Sequence, residues 1–412
     1  MSVCADTHYQ VRQWLDEALQ QENFKDLEVD IRGTSEKGDG YLGDIIFAHV
    51  LATRSNDQTE EFNFVVKIGK DGKELRAKFP VRMTFERETF MYSTVIPAFQ
   101  KFLLARGCKP LNYVAKCFGN LMLEDREVII FQNLKKLGYE LHDRKTAFNL
   151  NHLTRTLEAY GRFHALSFAM RDQDPKQYEK LSGSMECVWT AFHKSEDGRA
   201  LLRNSKDPLV KILVEHNETG LLEKYNRLMK DGINNVWQNA LDASEEYSVI
   251  CHGDCWNNNF MFTYEAEDTL KQDPLKVAML DFQMARVASP VFDLSYHIYM
   301  VSSEELLKDF PKILKIYHDS LSNEIRQLGS DPDKLFPFST LLDQWRKHCV
   351  FGLIISGNVL PLTFTEKEDT ISVEDMGENT IADSVNRIKG PVRANLEKRI
   401  IAFFKNALDF LV

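Results

Sequence analysis

The sequence has no apolar run approaching the roughly 20 residues that a bilayer-spanning helix needs, and the apolar segment 350–356 falls far short of it. A basic excess is also missing. Lysine and arginine total 51 against 61 aspartate and glutamate, a formal net charge of −10. No cationic field is therefore available for a phosphate backbone or an anionic lipid surface, and neither nucleic acid nor membrane is expected as a partner. Cysteine is sparse and odd in number: Cys4, Cys108, Cys117, Cys187, Cys251, Cys255 and Cys349 are too scattered for a disulfide framework. The first residues lack a basic stretch leading into an apolar one, so no secretory signal is expected. A reducing, cytoplasmic setting follows as the expectation. Repeats and low-complexity tracts are lacking, as are a His-x3-His pair and the Gly-x4-Gly-Lys-Ser/Thr pattern of a P-loop.

What remains is ordinary globular composition, 43% hydrophobic and 27% charged over 412 residues, enough for a large core or two lobes around a cleft. Thr7-x-x-Gln10 reads as a capping box opening a helix whose apolar face carries Val11, Trp14, Leu15 and Leu19. Two strands are expected over 45–52 and 62–68. A helix is expected from about Thr84 into Tyr92, stopped near Pro97, and a short strand over 128–131. Leu153, Leu157, Tyr160 and His164 share a helical face. Short strands at 248–251 and 277–280 each end in polar residues, and the chain beyond Ser302 reads as amphipathic helix interrupted by a polar loop over 365–379. Strands early and helices late give an α+β order, with a hinge near residue 132.

Two motifs carry chemistry. His252-Gly253-Asp254 is followed by Asn259, and Leu280-Asp281-Phe282-Gln283 follows one short strand later. An Asp, an Asn five residues on, and a second Asp ending a strand are what phosphoryl transfer from ATP requires. One carboxylate, Asp254, takes the hydroxyl proton, while the Asn259 amide oxygen and Asp281 hold Mg²⁺ on the phosphates. Lys67, on the polar face of the 62–68 strand, is placed to meet the nucleotide phosphates. A carboxylate must orient it. Phe85, Glu88 and Tyr92 share one helix face while Glu86 lies on the solvent side with Arg82, so Glu88 is the expected partner of Lys67. Gly33, Gly38, Gly40 and Gly43 precede the first of the two expected strands. A glycine-rich hairpin there would let backbone amides approach the nucleotide, with Gly38 and Gly40 at its centre.

With these residues in hand, the chain resembles the ecdysteroid kinase-like family, also called the CHK kinase-like family. The resemblance rests on Val249 through Phe262 (VICHGDCWNNNFMF), on Met279 through Arg286 (MLDFQMAR) and on Ser289 through Leu294. It extends to Phe85-x-x-Glu88-x-x-x-Tyr92 and to Gly161 through Ser167 (GRFHALS). It implies a two-lobed protein-kinase-like fold similar to aminoglycoside and choline kinases, with a β-rich lobe over 1–131 and a helical lobe over 132–412. It further implies ATP and Mg²⁺ as cofactors and a small-molecule alcohol, ecdysteroid-like or otherwise apolar, as the acceptor. A monomer is expected. On the matching positions Asp254 is the base, Asn259 and Asp281 the metal ligands, and Lys67 and Glu88 the phosphate-binding pair. Gln132, Asn133 and Leu134 form the adenine-side segment, where the family often carries Glu-Asp-Leu. Asp293 matches an aspartate that braces the active-site loops, although N-capping of the helix it begins would explain it equally. Cys255 stands where an aliphatic residue is usual. No Ala-Pro-Glu segment follows Asp281, which argues for a small acceptor. A nucleotide-binding pseudokinase and a kinase for a polar, cationic acceptor remain as alternatives.

Overall fold

The computed structural model describes residues 5–19, 24–34, 42–124, 126–242, 246–366 and 379–412. The chain opens with helix α1 (Ala5–Ala18), whose Val11, Trp14, Leu15 and the following Leu19 are buried. This helix already includes Ala5, so Thr7 lies within its first turn instead of capping it. Strands β1 (Phe24–Thr34), β2 (Gly43–Arg54) and β3 (Thr59–Gly69) follow. Next come helices α2 (Lys73–Lys78), α3 (Val81–Phe90) and α4 (Ile96–Leu104), then β4 (Cys117–Met122) and β5 (Glu127–Gln132). The five strands form one antiparallel sheet in the order β1-β2-β3-β5-β4. Strand β1 escapes the sequence reading because it is an edge strand with a weak apolar face: Leu27 is buried, but the acidic and basic residues between its apolar positions are exposed.

The sheet separates two cores. Phe64, Val66, Ile68, Val128 and Ile130 point to one face, where α1 closes a small apolar cluster. Val65, Ile129 and Phe131 point to the other, against the large core that runs through the rest of the molecule. Period-two alternation in a strand makes this division unavoidable. Lys67 lies on the second face, paired in register with Ile45 and Ile129, and is therefore interior to the sheet and not on an edge.

Between α3 and α4 the helix does not stop at Pro97. Residues Met91–Val95 form a π turn, and Pro97 occupies the first turn of α4. A proline cannot donate the amide hydrogen that an uninterrupted α-helix expects from it. The wider turn just before it carries the chain past that gap.

After β5 come the two-residue strand β6 (Glu140–Leu141) and the long helix α5 (Leu150–Gln173). Helices α6 (Pro175–Ser182), α7 (Val188–Lys194), α8 (Glu196–Glu215), α9 (Thr219–Leu228) and α10 (Ile233–Asp242) follow. Four short strands then appear: β7 (Val249–Cys251), β8 (Phe260–Thr263), β9 (Lys276–Met279) and β10 (Arg286–Ala288). The chain ends in α11 (Val291–Val301), α12 (Glu304–Leu307), α13 (Phe310–Gln327), α14 (Pro332–Leu335), α15 (Phe338–Phe364), α16 (Thr380–Arg387) and α17 (Gly390–Leu411). A small antiparallel sheet thus precedes a larger helical region, an α+β arrangement. Most of α15 is buried, including Phe351, Leu353, Ile354 and Ile355. The stretch Pro332–Phe364, which α15 ends, is long and apolar enough to cross a membrane by length and composition, although no single uninterrupted apolar run in it reaches that length. Here α15 serves as a core helix, with Asp343, Arg346 and Lys347 exposed and the part from His348 on almost wholly buried. Of the polar loop expected over 365–379, residues 367–378 lie outside the described residues.

Candidate active site

Two ladders bring the motifs together. Strand β7 leads into His252-Gly253-Asp254 and β8 leaves it; β9 leads into Asp281 and β10 leaves it. Strand β7 pairs with β10, Cys251 opposite Arg286, and β8 pairs with β9, Phe260 opposite Met279. Each loop is thereby clamped at both ends to the other. Asp254, Asn259 and Asp281 all line one cavity of about 270 Å³.

Backbone constraints sharpen this geometry. Gly253 sits at φ +84°, and a Cβ there would lie 2.0 Å from the Met284 carbonyl oxygen, so only glycine fits. Asp281 adopts the left-handed region at φ 63° without being glycine. That conformation is uncommon for such a residue and persists only where its surroundings hold it. Asn259 ends a 3-10 turn, Asn257–Asn259, and its Nδ2 donates to the Asp254 carbonyl at 2.9 Å. The loop is closed on itself, and the Asn259 Oδ1 is left to other partners.

Lys67 reaches this cluster from β3. Its Nζ donates to Glu88 Oε2 at 2.6 Å and to Asp281 Oδ1 at 2.7 Å, spanning the sheet, α3 and the loop after β9. Both Lys67 (8% exposed) and Glu88 (1%) are buried. Burial opposes the lysine's charge, yet Asp281 and Glu88 outweigh it and hold its pKa above the ordinary value. Burial pushes Glu88 up to about 7 against the opposing pull of Lys67. Glu86 instead pairs with exposed Arg82 at 2.7 Å, four residues away on the same helix.

Asp254 is enclosed as well. Burial first, then the Asp281 carboxylate, raises its pKa to about 7, while hydrogen bonds from Gln283, Asn259 and Tyr296 oppose the shift. Those from the side chains are long: Tyr296 Oη to Oδ1 at 3.3 Å and Gln283 Nε2 to Oδ2 at 3.4 Å. Sequence reasoning assigned neither residue a task. Gln283 stands inside a recognised motif, but its aim at Asp254 depends on the turn at Asp281, and Tyr296 is brought in by α11, 42 residues away in sequence.

Behind the loop from His252 to Asn259 stands Asp293, in the first turn of α11. It caps no helix end; it accepts from the His252 amide at 2.6 Å, the Gly253 amide at 2.9 Å, the Cys255 thiol at 3.2 Å and His164 Nε2 at 3.1 Å. Burial would raise its pKa, but His164 and these donors hold it below the usual carboxylate value. His164, Cys251 and Asp293 come within 4.8 Å of one another. With four donors already on the Asp293 carboxylate, that cluster is a brace. His252 completes it. Its Nε2 bonds the Leu280 carbonyl at 2.7 Å, its Nδ1 accepts from the Asp254 amide at 3.2 Å, and its ring lies 4.5 Å from Phe282. Phe282 in turn meets Tyr92 at 5.6 Å, so the π turn after α3 and both loops share one aromatic column.

Other expected residues fare differently. Gly38 and Gly40 lie outside the described residues, although Gly33 and Gly43 stand near the facing ends of β1 and β2. The amide of Gln132 is used by the Lys116 carbonyl, and that of Asn133 by the Asn63 carbonyl. The Asn133 side chain caps the short 3-10 turn Leu134–Leu137, and Leu134 is buried. The amides at 132 and 133 are thus engaged within the protein.

Most of the remaining lining is apolar, with Thr84, Asn258 and Asn358 as polar exceptions. Phe79 and Pro80 border it on the N-terminal side, with Phe79 stacked on Phe192 of α7 at 5.0 Å. Trp189, Trp237, Ile355 and Leu362 build much of the helical wall.

The ecdysteroid kinase-like family matches residues 37–330 of the chain. No curated protein sequence matches it. Among solved structures, a Haemophilus somnus 129PT protein described as a fructosamine-3-kinase aligns over 90% of this chain and 96% of its own. Its identity is 12% and its TM-score 0.36, too distant to carry an argument.

Proposed function

The chain belongs to the ecdysteroid kinase-like family, and from that premise we propose that it transfers a phosphoryl group from ATP, with Mg²⁺, to a hydroxyl of an apolar small-molecule alcohol such as an ecdysteroid. The observation that carries this reading is the convergence of Asp254, Asn259 and Asp281, with Lys67 and Glu88 behind them, at one part of a mainly apolar cavity.

Asp254 would accept the proton of the acceptor hydroxyl, held in place by Tyr296 and Gln283. Lys67, oriented by Glu88, would hold the nucleotide phosphates. The donor set suits magnesium: a carboxylate on Asp281 and an amide oxygen on Asn259 are hard oxygen ligands, and the bond to the Asp254 carbonyl uses the Asn259 amide nitrogen and not its oxygen. When bound, magnesium would neutralise charge on the phosphates. Phosphoryl transfer asks the protein mainly for positioning and electrostatics, and this arrangement offers both.

The apolar acceptor is preferred because the carboxylates lining this cavity, Asp254 and Asp281, are both engaged in the catalytic cluster, and no further one among the described residues is left for an ammonium group. The tryptophans of the same wall would also suit an ammonium group through cation–π contact, so a cationic acceptor is the second reading. Incubation of purified protein with γ-labelled ATP, Mg²⁺ and a panel of ecdysteroids, other sterols, choline and an aminoglycoside tests the assignment. Label is expected in a sterol alcohol. Label in choline or the aminoglycoside alone would overturn the apolar reading, and ATP binding without transfer to any alcohol would favour a pseudokinase.

A further inference from the structure

Ile355, Asn358, Val359 and Leu362 of α15 all line the cavity, and their spacing of three, four and seven residues places them on one face of the helix. Of the lining residues that α7, α8, α10, α15 and α16 supply, Asn358 is the only one that is neither aliphatic nor aromatic. It is 7% exposed. Its Nδ2 donates to the Ile354 carbonyl at 2.7 Å, one turn back on its own helix, which fixes the amide. Its Oδ1 has no hydrogen-bond partner among the described residues. Asparagine is a poor helix former, and a buried carbonyl oxygen without a donor is unfavourable. Leucine would suit the same place in a helix interior on both counts.

We infer that Asn358 is a specificity-determining residue: its side-chain oxygen accepts a hydrogen bond from a second polar hydrogen of the acceptor, a hydroxyl other than the one phosphorylated. The inference rests on the reading of this cavity as the acceptor pocket. It deepens that reading by naming the residue that would tell a rigid apolar acceptor with two or more hydroxyl groups from one with a single hydroxyl. A monohydroxylated sterol would enter the cavity and leave Oδ1 unsatisfied. A diol or triol with a hydroxyl within reach of α15 would satisfy it. A site built around a substrate hydroxyl discriminates strongly against the analogue lacking it, because the protein's own polar group is then stranded.

The test compares a steroid mono-alcohol with a set of diols and triols on the same ring system. Dissociation constants are read from quenching of the cavity tryptophans Trp189, Trp237 and Trp256, without nucleotide. In the wild-type protein at least one polyol should bind about tenfold or more tightly than the mono-alcohol. Asn358→Leu should abolish that preference by weakening the polyol alone, and should unfold no earlier than wild type, which a purely structural asparagine would not allow. Asn358→Ala removes the same carbonyl with less bulk and should lose the same preference, which covers the case in which leucine does not fit. The inference is overturned if no polyol outbinds the mono-alcohol in the wild type. It is also overturned if both variants keep the preference, or if they weaken the two ligands equally. Because binding is read without turnover, failure of the kinase assignment would appear separately, as intact discrimination with no labelled product.

Discussion

Asp254 and Asp293 are both buried aspartates serving the same loop, and their surroundings push them in opposite directions. Asp293 takes four donors between 2.6 and 3.2 Å and is held ionised below its usual range. Asp254 has two side-chain donors at 3.3 and 3.4 Å, faces Asp281 and a cavity, and is raised to about 7. A carboxylate saturated with short hydrogen bonds is architecture. One left undersatisfied at a cavity wall is poised to exchange a proton, and perturbed groups of that kind mark functional sites. Tolerance to substitution should follow the same division.

The largest effect is expected at the brace. Asp293→Ala strands the His252 and Gly253 amides and His164 in a buried place, and should cost about 3–5 kcal/mol, read from the denaturation midpoint. A loss below 1 kcal/mol would mean that the loop is held by other means. Glu88 sharpens the comparison from the catalytic side. Glu88→Gln removes a buried partner of Lys67 and should lower phosphoryl transfer by about 10–100-fold, as loss of an orienting partner commonly does. Glu86→Gln, at the exposed pair with Arg82, should change stability by no more than about 0.5 kcal/mol and leave activity unaltered.

A smaller effect is expected in acid. His297, within α11, bonds the Cys255 carbonyl and Thr156 and is buried, which lowers its pKa to about 4. The unfolded chain binds the proton near pH 6.5 and the folded chain does not, so stability falls as the pH drops from about 6.5 towards 4. Over pH 7.5 to 5 this group should account for about 2 kcal/mol of that loss. His297→Gln should flatten the slope by that amount in paired urea melts, whatever its effect at neutral pH.

Much of this contrast could be read in the sequence, for a physical reason. The residues Asp254, Asn259 and Asp281 carry chemistry that few side chains can supply, so their spacing is informative without coordinates. The pairing of Glu88 with a strand lysine followed from helical periodicity and the cost of burying a lone carboxylate. Other features were not legible. The role of Asp293 stayed open because N-capping and loop bracing place the same residue at the same helix start. Passage of the helix beyond Pro97 depends on a π turn that has no side-chain signature. Strand β1 shows little because an edge strand buries little. The apolar cavity and Asn358 are assembled from helices far apart in the chain, and α15 read only as amphipathic or apolar until its neighbours surrounded it.

The central claim is that Asp254 takes the proton of an acceptor hydroxyl, and Asp254→Asn tests it most directly. With γ-labelled ATP, Mg²⁺ and an alcohol that the wild-type protein phosphorylates, the variant should transfer label about 10²–10⁴-fold more slowly while melting no earlier than wild type. Transfer at the wild-type rate by a folded Asp254→Asn protein would contradict the account.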